Sequence, residues 1–444
     1  MKKFLVIFLL ASTVIFFKHN QIPAHLTFDE VEFARLTVLL STQSYAPYTE
    51  FATGHSTLYF YLILASFKIF GLNEFALRLP SALFGIGTSL MFLAVMSVIF
   101  KKSTIHISIP RTKISFQVSY ALLLSICFVL VRWFFGFARF SFEGTAVLFF
   151  ELISLYGLVR YMPKPHALRW LVMSAIGAGL AYNSYQPGRF FFIIPLIMLI
   201  VTPAIRSVRS VVIFLALFGV LIASLTLHLY QHPDVRVKQQ LYFQDQNLTL
   251  QRKGEFFADN VWRNTKLFFT EGDASGRHNY PFKPALPLPL ALLATVGVII
   301  SLQSWRKPMN MIFLLYAGIA MGPTLLTYPH ENPNMLRTIT VLPSLVYFIG
   351  ISVREMCSRF ASRVPVMGLI LVTVILLSNA SDLRTYFIFQ KQIFPQAFEV
   401  TDRFGGVYFF MKERGIDING FRIPQDQVEK FYSVPGPMQI YRNQ

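Results

Sequence analysis

The sequence predicts an all-α integral membrane protein, a polytopic bundle of about eleven transmembrane helices with outside juxtamembrane helices. Three observations carry that prediction. Of 444 residues, 14% are charged and 54% hydrophobic, with a mean hydropathy of +0.51; an ordinary globular domain is about 25% charged. Apolar runs of membrane length recur along the chain. Phe is abundant, with 46 residues, which suits helices that face lipid.

The apolar segments fall at 4–19, 76–100, 115–136, 145–161, 169–185, 189–204, 211–230, 284–304, 309–327, 337–354 and 364–379. The first follows "MKK" in the manner of a secretory signal. The continuation "KHNQIPAHL" offers no small-x-small cleavage site, so a retained helix is expected. The short connections are basic: Lys101 and Lys102 with Arg111 and Lys113, "RYMPKPHALR" (160–169), "RSVR" (206–209), "RK" (306–307), and Arg354 with Arg359 and Arg363. Counting helices puts all of them on the side of the N-terminal "KK", which the positive-inside rule makes cytoplasmic. The net charge of +18 is thereby explained without a nucleic-acid partner. The acidic residues agree. On this count they lie outside, except Glu151 within a helix and Glu355 at a cytoplasmic end. Glu151 should find a polar partner on another helix. Three larger outside pieces result, at about 20–75, about 231–283 and from 380 onward. Cys127 lies in an apolar run and Cys357 in a basic loop, so no disulfide and no cysteine metal site are expected.

The stretch "HLTFDEVEF" (25–33) places three carboxylates just beyond the first apolar run. Thr27-Phe28-Asp29-Glu30 has the form of a capping box, with Thr27 as cap and Glu30 reaching back to its backbone N–H. Asp29 and Glu32 complement the helix dipole. Val31, Phe33, Ala34, Leu36, Val38, Leu39 and Leu40 make a broad face suited to lying on the membrane surface. Capping explains Glu30 well and leaves Asp29 the freer acid, with Glu32 a solvated charge.

Further motifs follow in order: "GHSTLYFYL" (54–62), "FGLNEFALRLPSAL" (70–83), "FARFSFEG" (137–144), "GLAYNSYQPGRFFFIIP" (179–195), "FFTEGDASGRHNYPFKPAL" (268–286) and "NPNMLRTITVLPSL" (332–345). Together with the early Asp-Glu pair, the set resembles the GT-C membrane glycosyltransferases. Within them it looks like bacterial protein O-mannosyltransferases and lipid A aminoarabinose transferases. The resemblance implies a GT-C-like transmembrane catalytic unit over 1–379 and a small outside tail over 380–444. It implies transfer of a sugar from a polyprenyl-phosphate lipid to a protein, lipid or glycan acceptor. The enzyme would sit in the inner (plasma) membrane, N-terminus cytoplasmic, tail and active site outside.

That chemistry sets requirements. The leaving phosphate is already a stable anion, so no general acid is needed, unlike glycosidases. One base must take the acceptor proton, and cations must hold the departing phosphate. A single displacement inverts the anomeric centre. The resemblance implies that Asp29 is the base. Arg139, Arg189 and Arg337 break the charge bias at outer helix ends, where a lipid phosphate would lie. They are donor-phosphate candidates, with snorkelling as the alternative. Arg277 and His278 are looser candidates. His55 stands where some relatives carry Lys, and a neutral imidazole supplies no cation. Glu30 and Glu143 are the acids for the acceptor or sugar site, though Glu143, four residues after Arg139, also suits an ion pair. Tyr182 and Tyr185 could stack on a sugar or serve as interfacial belt residues.

No cofactor is expected. Asp29, Glu30, Glu32 and Glu143 could ligate a divalent ion, but "DEVE" lacks the Asp-x-Asp pattern of oligosaccharyltransferases, and the mannosyltransferase-like relatives work without metal. A transporter or lipid flippase is the main alternative. It should carry ionisable groups near the bilayer midplane, whereas these polar clusters gather outside. A non-catalytic envelope-assembly subunit would be separated by assay. A polymer ligase would carry a long Arg/His-rich outside loop, and the early Asp-Glu pair argues against it.

Overall fold

The structure, a computed structural model, describes residues 1–51, 54–101, 103–108, 115–359, 364–401, 404–417 and 420–422. Lys102, Arg111, Lys113 and Arg363 of the basic connections, Asp402 and Arg403, and the tail beyond 422 lie outside the described residues.

Each predicted apolar segment contains helix, because continuous apolar sequence can satisfy its backbone in lipid only by internal hydrogen bonds. The first is α1 (Lys2–Phe16). The loop after it folds into α2 (Phe28–Leu40), a minimal hairpin of β1 (Tyr48–Thr49) and β2 (His55–Ser56), and α3 (Leu58–Phe70). Next come α4 (Glu74–Ile99), a hairpin of β3 (Thr104–Ser108) and β4 (Ser115–Ser119), and a helix broken at Val131 into α5 (Tyr120–Leu130) and α6 (Arg132–Phe137). Then follow α7 (Gly144–Tyr161), α8 (Leu168–Ser184), a 3₁₀ turn (Gln186–Phe190) leading into α9 (Ile193–Val201), and α10 (Val208–Gln231). The long loop holds α11 (Val235–Gln240) and α12 (Leu250–Phe269). The chain returns through α13 (Leu288–Gln303), α14 (Pro308–Leu326), α15 (Leu342–Arg359) and α16 (Val364–Arg384), and a π turn (Thr385–Gln390) joins α16 to α17 (Lys391–Ala397). The last element is α18 (Gly405–Glu413).

Among the described residues six helices are long and apolar enough to cross a membrane: Glu74–Ile99, Gly144–Tyr161, Val208–Gln231, Pro308–Leu326, Ile339–Arg359 and Pro365–Ala397. The other predicted segments lie on α1, α5–α6, α8, the turn into α9, and α13, which are shorter or interrupted. α7 and α8 pack with their backbones nearly touching: a Cβ on Gly177 would lie 2.5 Å from the Ser154 nitrogen. Small residues permit such an approach where lipid supplies no hydrophobic drive. Buried between α7 and α14, the Tyr316 hydroxyl donates to Glu151 at 2.6 Å, the polar partner expected on another helix. Cys127 and Cys357 are free and buried.

Two expectations are corrected. Residues 115–119 were read as the start of a membrane segment but form β4, paired in register from Thr104↔Ser119 to Ser108↔Ser115. Their polar–apolar alternation has the period of a strand. Nor does α2 lie on a membrane surface. Val31, Phe33, Ala34, Leu36, Val38 and Leu40 are buried with α3 and α18 in a second core beside the bundle. A helix apolar on nearly every side belongs inside protein. The segment after α17 closes this core: Val400 pairs with Leu26 (N–H to O, 3.0 Å), and Leu72 N–H donates to Arg422 O at 2.8 Å.

Candidate active site

The N-terminus of α2 is fixed first by local chemistry. Glu30 N–H donates to Thr27 Oγ1 at 3.0 Å and Thr27 N–H to the Glu30 carboxylate at 3.2 Å, completing the capping box. Glu30 is fully buried and also accepts from Arg78 Nε (2.8 Å), Arg78 Nη2 (2.9 Å) and Ser141 N–H (3.0 Å). Arg78 itself donates to Pro23 O and His25 O. Glu30 thus ties α2 to α4 and to the 138–143 loop, and its oxygens are committed to those partners. Sequence reasoning missed Arg78, although a lone Arg just inside an apolar segment was the signal.

Beside this pair lies a cavity of about 300 Å³ lined by Asp29, Glu32, Phe33, His55, Phe140, Ser141, Phe142, Glu143, Tyr185 and Leu336. Asp29 is at its open side, with a side chain 63% exposed and Oδ2 accepting from Arg277 Nη1 at 2.8 Å. The other Arg277 terminal nitrogen reaches Glu399 at 3.4 Å. Glu32, expected to be a plain solvated charge, borders the cavity and pairs with Arg35 at 2.5 Å. Glu143 bonds the buried His55 through Nδ1 at 3.1 Å and not Arg139, which turns away. Arg139 donates to Val14 O (2.6 Å), Ile15 O (2.7 Å), Phe17 O (2.7 Å) and Ile22 O (2.8 Å). It therefore satisfies the orphan carbonyls where α1 ends, and it is not among the residues that line the cavity.

The remaining candidates surround the cavity at different removes. Arg189 pairs with Asp234 at 3.2 Å and donates to Ser56 at 3.3 Å, next to His55. Arg337 pairs with Glu331 and follows the cavity residue Leu336. His278 Nδ1 lies 2.9 Å from Asp273 and its ring stacks on Phe137. Tyr185 lines the cavity. Tyr182 does not: its hydroxyl accepts from Thr226 and its ring packs on Phe218 of α10. Asp273, which sequence reasoning also missed, accepts from the N–H groups of Ser275 and Met335, each at 2.8 Å. Burial pushes its carboxyl up, but the His278 imidazole and those two N–H groups outweigh burial and hold it below the usual carboxylate range. It joins the 268–286 motif to the segment carrying Leu336 and Arg337.

Residues 54–230 match the family model of dolichyl-phosphate-mannose-protein mannosyltransferases, less than half of the chain. Curated protein sequences give no match. Among solved structures, the oligosaccharyltransferase of Archaeoglobus fulgidus in complex with Zn and sulfate is similar with a TM-score of 0.50 at 13% identity, over 98% of this chain and 57% of that one. The fold is that of the GT-C membrane glycosyltransferases. ArnT from Cupriavidus metallidurans, bound to undecaprenyl phosphate, gives a TM-score of 0.48 at 12% identity, over 89% of this chain and 76% of that one. The Pmt1–Pmt2 protein O-mannosyltransferase complex of S. cerevisiae, bound to the sugar donor, gives 0.37 at 18% identity, over 54% and 36%.

Asp29, Glu32 and Glu143 are the carboxylates of the cavity that could ligate a metal. Among the described residues no group of three or more His, Cys, Asp or Glu side chains is placed to hold a metal ion. Asp29, Glu32 and Glu143 each already face a guanidinium or an imidazole. A divalent cation does not fit this set.

Proposed function

We propose that the protein is an integral membrane glycosyltransferase that moves a sugar from a polyprenyl-phosphate donor to an acceptor on the extracytoplasmic side, with inversion. The observation that supports it most is the position of Asp29. It is an exposed carboxylate on a rigidly held helix start, aimed by Arg277, at the open side of a cavity lined by His55, with Arg189 bonded to the neighbouring Ser56 and Arg337 following the lining residue Leu336. The match to a dolichyl-phosphate-mannose family over 54–230 supports the donor class.

In this reading the acceptor O–H gives its proton to Asp29 as its oxygen attacks the anomeric carbon. The bond from that carbon to the phosphate oxygen breaks, and the lipid phosphate leaves as an anion stabilised by Arg189 and Arg337. Glu143 holds the His55 imidazole at the cavity wall, and Phe33, Phe140, Phe142 and Tyr185 supply faces for a sugar ring. Arg139 serves by holding the end of α1 and so the loop before α2. The catalytic unit takes in residues 1–379, with the segment after it roofing α2, and the basic connections face the cytoplasm.

Mass spectrometry of glycolipids and glycoproteins from cells with and without the protein tests this. Loss of one sugar from one acceptor class is the expected result and would name donor and acceptor together. An unchanged profile, with no release of polyprenyl phosphate by the purified protein from any lipid-linked sugar, would sink it.

A further inference from the structure

A second cavity lies at the far end of α7 from the candidate active site. α7 starts beside Glu143 and ends at Tyr161, roughly 26 Å along its axis at about 1.5 Å per residue. There the α7–α8 connection (162–167) meets the α9–α10 connection (202–207) around a cavity of about 330 Å³. His166, Arg206 and Arg209 line it, and no carboxylate does. Among the described residues neither arginine has a hydrogen-bond or ion-pair partner. α10 also starts at this cavity. Its N-cap Ser207 makes no side-chain bond to the first turn, and the first backbone bond of the helix is Val211 N–H to Ser207 O. The N–H groups of Val208, Arg209 and Ser210 therefore have no intrahelical acceptor. The buried wall adds a donor of its own. Tyr161 and Ser210 are 2% and 4% exposed, and their hydroxyls share one hydrogen bond of 2.7 Å. Two hydroxyls carry two hydrogens, and that bond uses one. The other has no acceptor among the described residues.

We propose that this cavity binds a phosphate group, carried by an anionic phospholipid headgroup or by free phosphate. Its polar groups are donors with spare capacity, so the ligand must be an acceptor, and two guanidinium groups exclude a cation. The donors converge from three places: the end of α7, the α7–α8 connection and the start of α10. The tetrahedral oxygens of a phosphate can meet all three, whereas a flat carboxylate cannot. Arginine forks and an open helix N-terminus are each suited to that group. Basic residues that only set membrane orientation need to lie near helix ends. Orientation does not call for a concave site, an uncapped helix start or a spare buried hydroxyl. Both α7 and α10 are long and apolar enough to span, which puts their adjoining ends at the depth of lipid headgroups. A phosphate held there ties the end of α7 to the start of α10. The inference is independent of the transfer reaction.

Delipidated full-length protein in detergent tests it, with Arg206→Gln/Arg209→Gln as the site variant and Arg354→Gln, in another basic connection, as the control. Phosphatidylglycerol and diacylglycerol, which has the chains without the phosphate, are titrated by native mass spectrometry. Inorganic phosphate is titrated by thermal shift. If the source is a lipid, the Kd for phosphatidylglycerol should rise at least about tenfold in the site variant. Diacylglycerol binding and the control should not change. If the source is soluble, inorganic phosphate should stabilise the parent and the control but not the site variant. The proposal is overturned if neither phosphatidylglycerol nor inorganic phosphate distinguishes the site variant from the parent. Equal weakening by Arg354→Gln would show diffuse charge, and equal loss of diacylglycerol would show a chain effect; either result also overturns it.

Discussion

α2 and α12 begin alike and end in opposite environments. Each is capped by a Thr whose hydroxyl accepts the N–H three residues on, and each carries an Arg–Glu pair at i,i+3, Glu32 with Arg35 and Arg252 with Glu255. In α2 the apolar residues run round most of the helix, and eight of its thirteen residues are buried. In α12 only Asn260, Asn264 and Leu267 are buried, while Leu250, Phe257, Val261 and Trp262 are exposed. What decides core against surface is how apolar residues are distributed around the axis, not how many there are. The consequence is functional. Asp29, the proposed base, stands on a helix clamped on several sides, which suits a group that must be held in place, whereas α12 is held mainly by the polar contacts of Asn260 and Asn264.

The largest expected effect breaks the chemistry at the clamped helix and leaves the clamp intact. Asp29→Asn should lower turnover by about 10²–10⁴-fold. Because Asp29 is exposed, stability should move by no more than about 0.5 kcal/mol, and donor binding should persist. Near-normal turnover in a lipid-linked-sugar assay would remove Asp29 as the base.

One residue along, the outcome should invert. Glu30→Ala leaves the Arg78 guanidinium buried without its carboxylate, which costs about 3–5 kcal/mol. Thermal unfolding in detergent should register that loss before any assay does. A melting temperature unchanged from the parent would mean that the Glu30–Arg78 pair does not clamp α2.

Arg337→Ala tests the segment that α12 supports. Losing a charge-assisted bond to the donor phosphate is worth about 1.5–3 kcal/mol, or roughly 10–100-fold in donor affinity. Asp29→Asn should leave that affinity in place. Equal donor affinity in Arg337→Ala and the parent protein would take Arg337 out of the phosphate site.

A smaller effect concerns pH. The Asp273 carboxyl is held below its ordinary value by His278 and two N–H groups that outweigh its burial. Its contribution is therefore complete above the unfolded carboxylate value and is lost as pH falls through the folded one, below about pH 4. Amide exchange at Met335 should quicken in that window, and Asp273→Asn should flatten the dependence. Acceleration that persists in the variant would assign it to another group.

The bundle could be read from sequence because length and apolarity are local properties. The capping box was equally legible, since Thr27 and Glu30 are three residues apart. The break at Val131 was hidden because an apolar run does not announce where hydrogen bonding changes; the strand at 115–119 carried a period-two signal that the apolar residues after it outweighed. At the cavity, the motifs supply the segments that border it but not the partners of their side chains. Glu30 meets Arg78 across 48 positions and His55 meets Glu143 across 88. Arg139 was marked out as a cation at a helix end, but that it serves the carbonyls of α1 depends on where α1 stops. Tyr182 and Tyr185 looked equivalent until the chain bent between them at the end of α8.

The smallest effect expected is none at all, and it bears on the cavity at the start of α2. If Asp29, Glu32 and Glu143 were metal ligands, their negative charge would need a divalent ion to stabilise it. Each instead has a guanidinium or imidazole within hydrogen-bond reach, so a cation brought to the cavity would have to displace Arg277, Arg35 or His55. Rigorous chelation should then leave turnover unchanged, while α12, whose carboxylates lie outside this cavity, gives no reason for a second metal effect. Abolition by chelation, restored only by an added divalent ion, would recast Asp29 from base to ligand and make the acidic start of α2 a metal site.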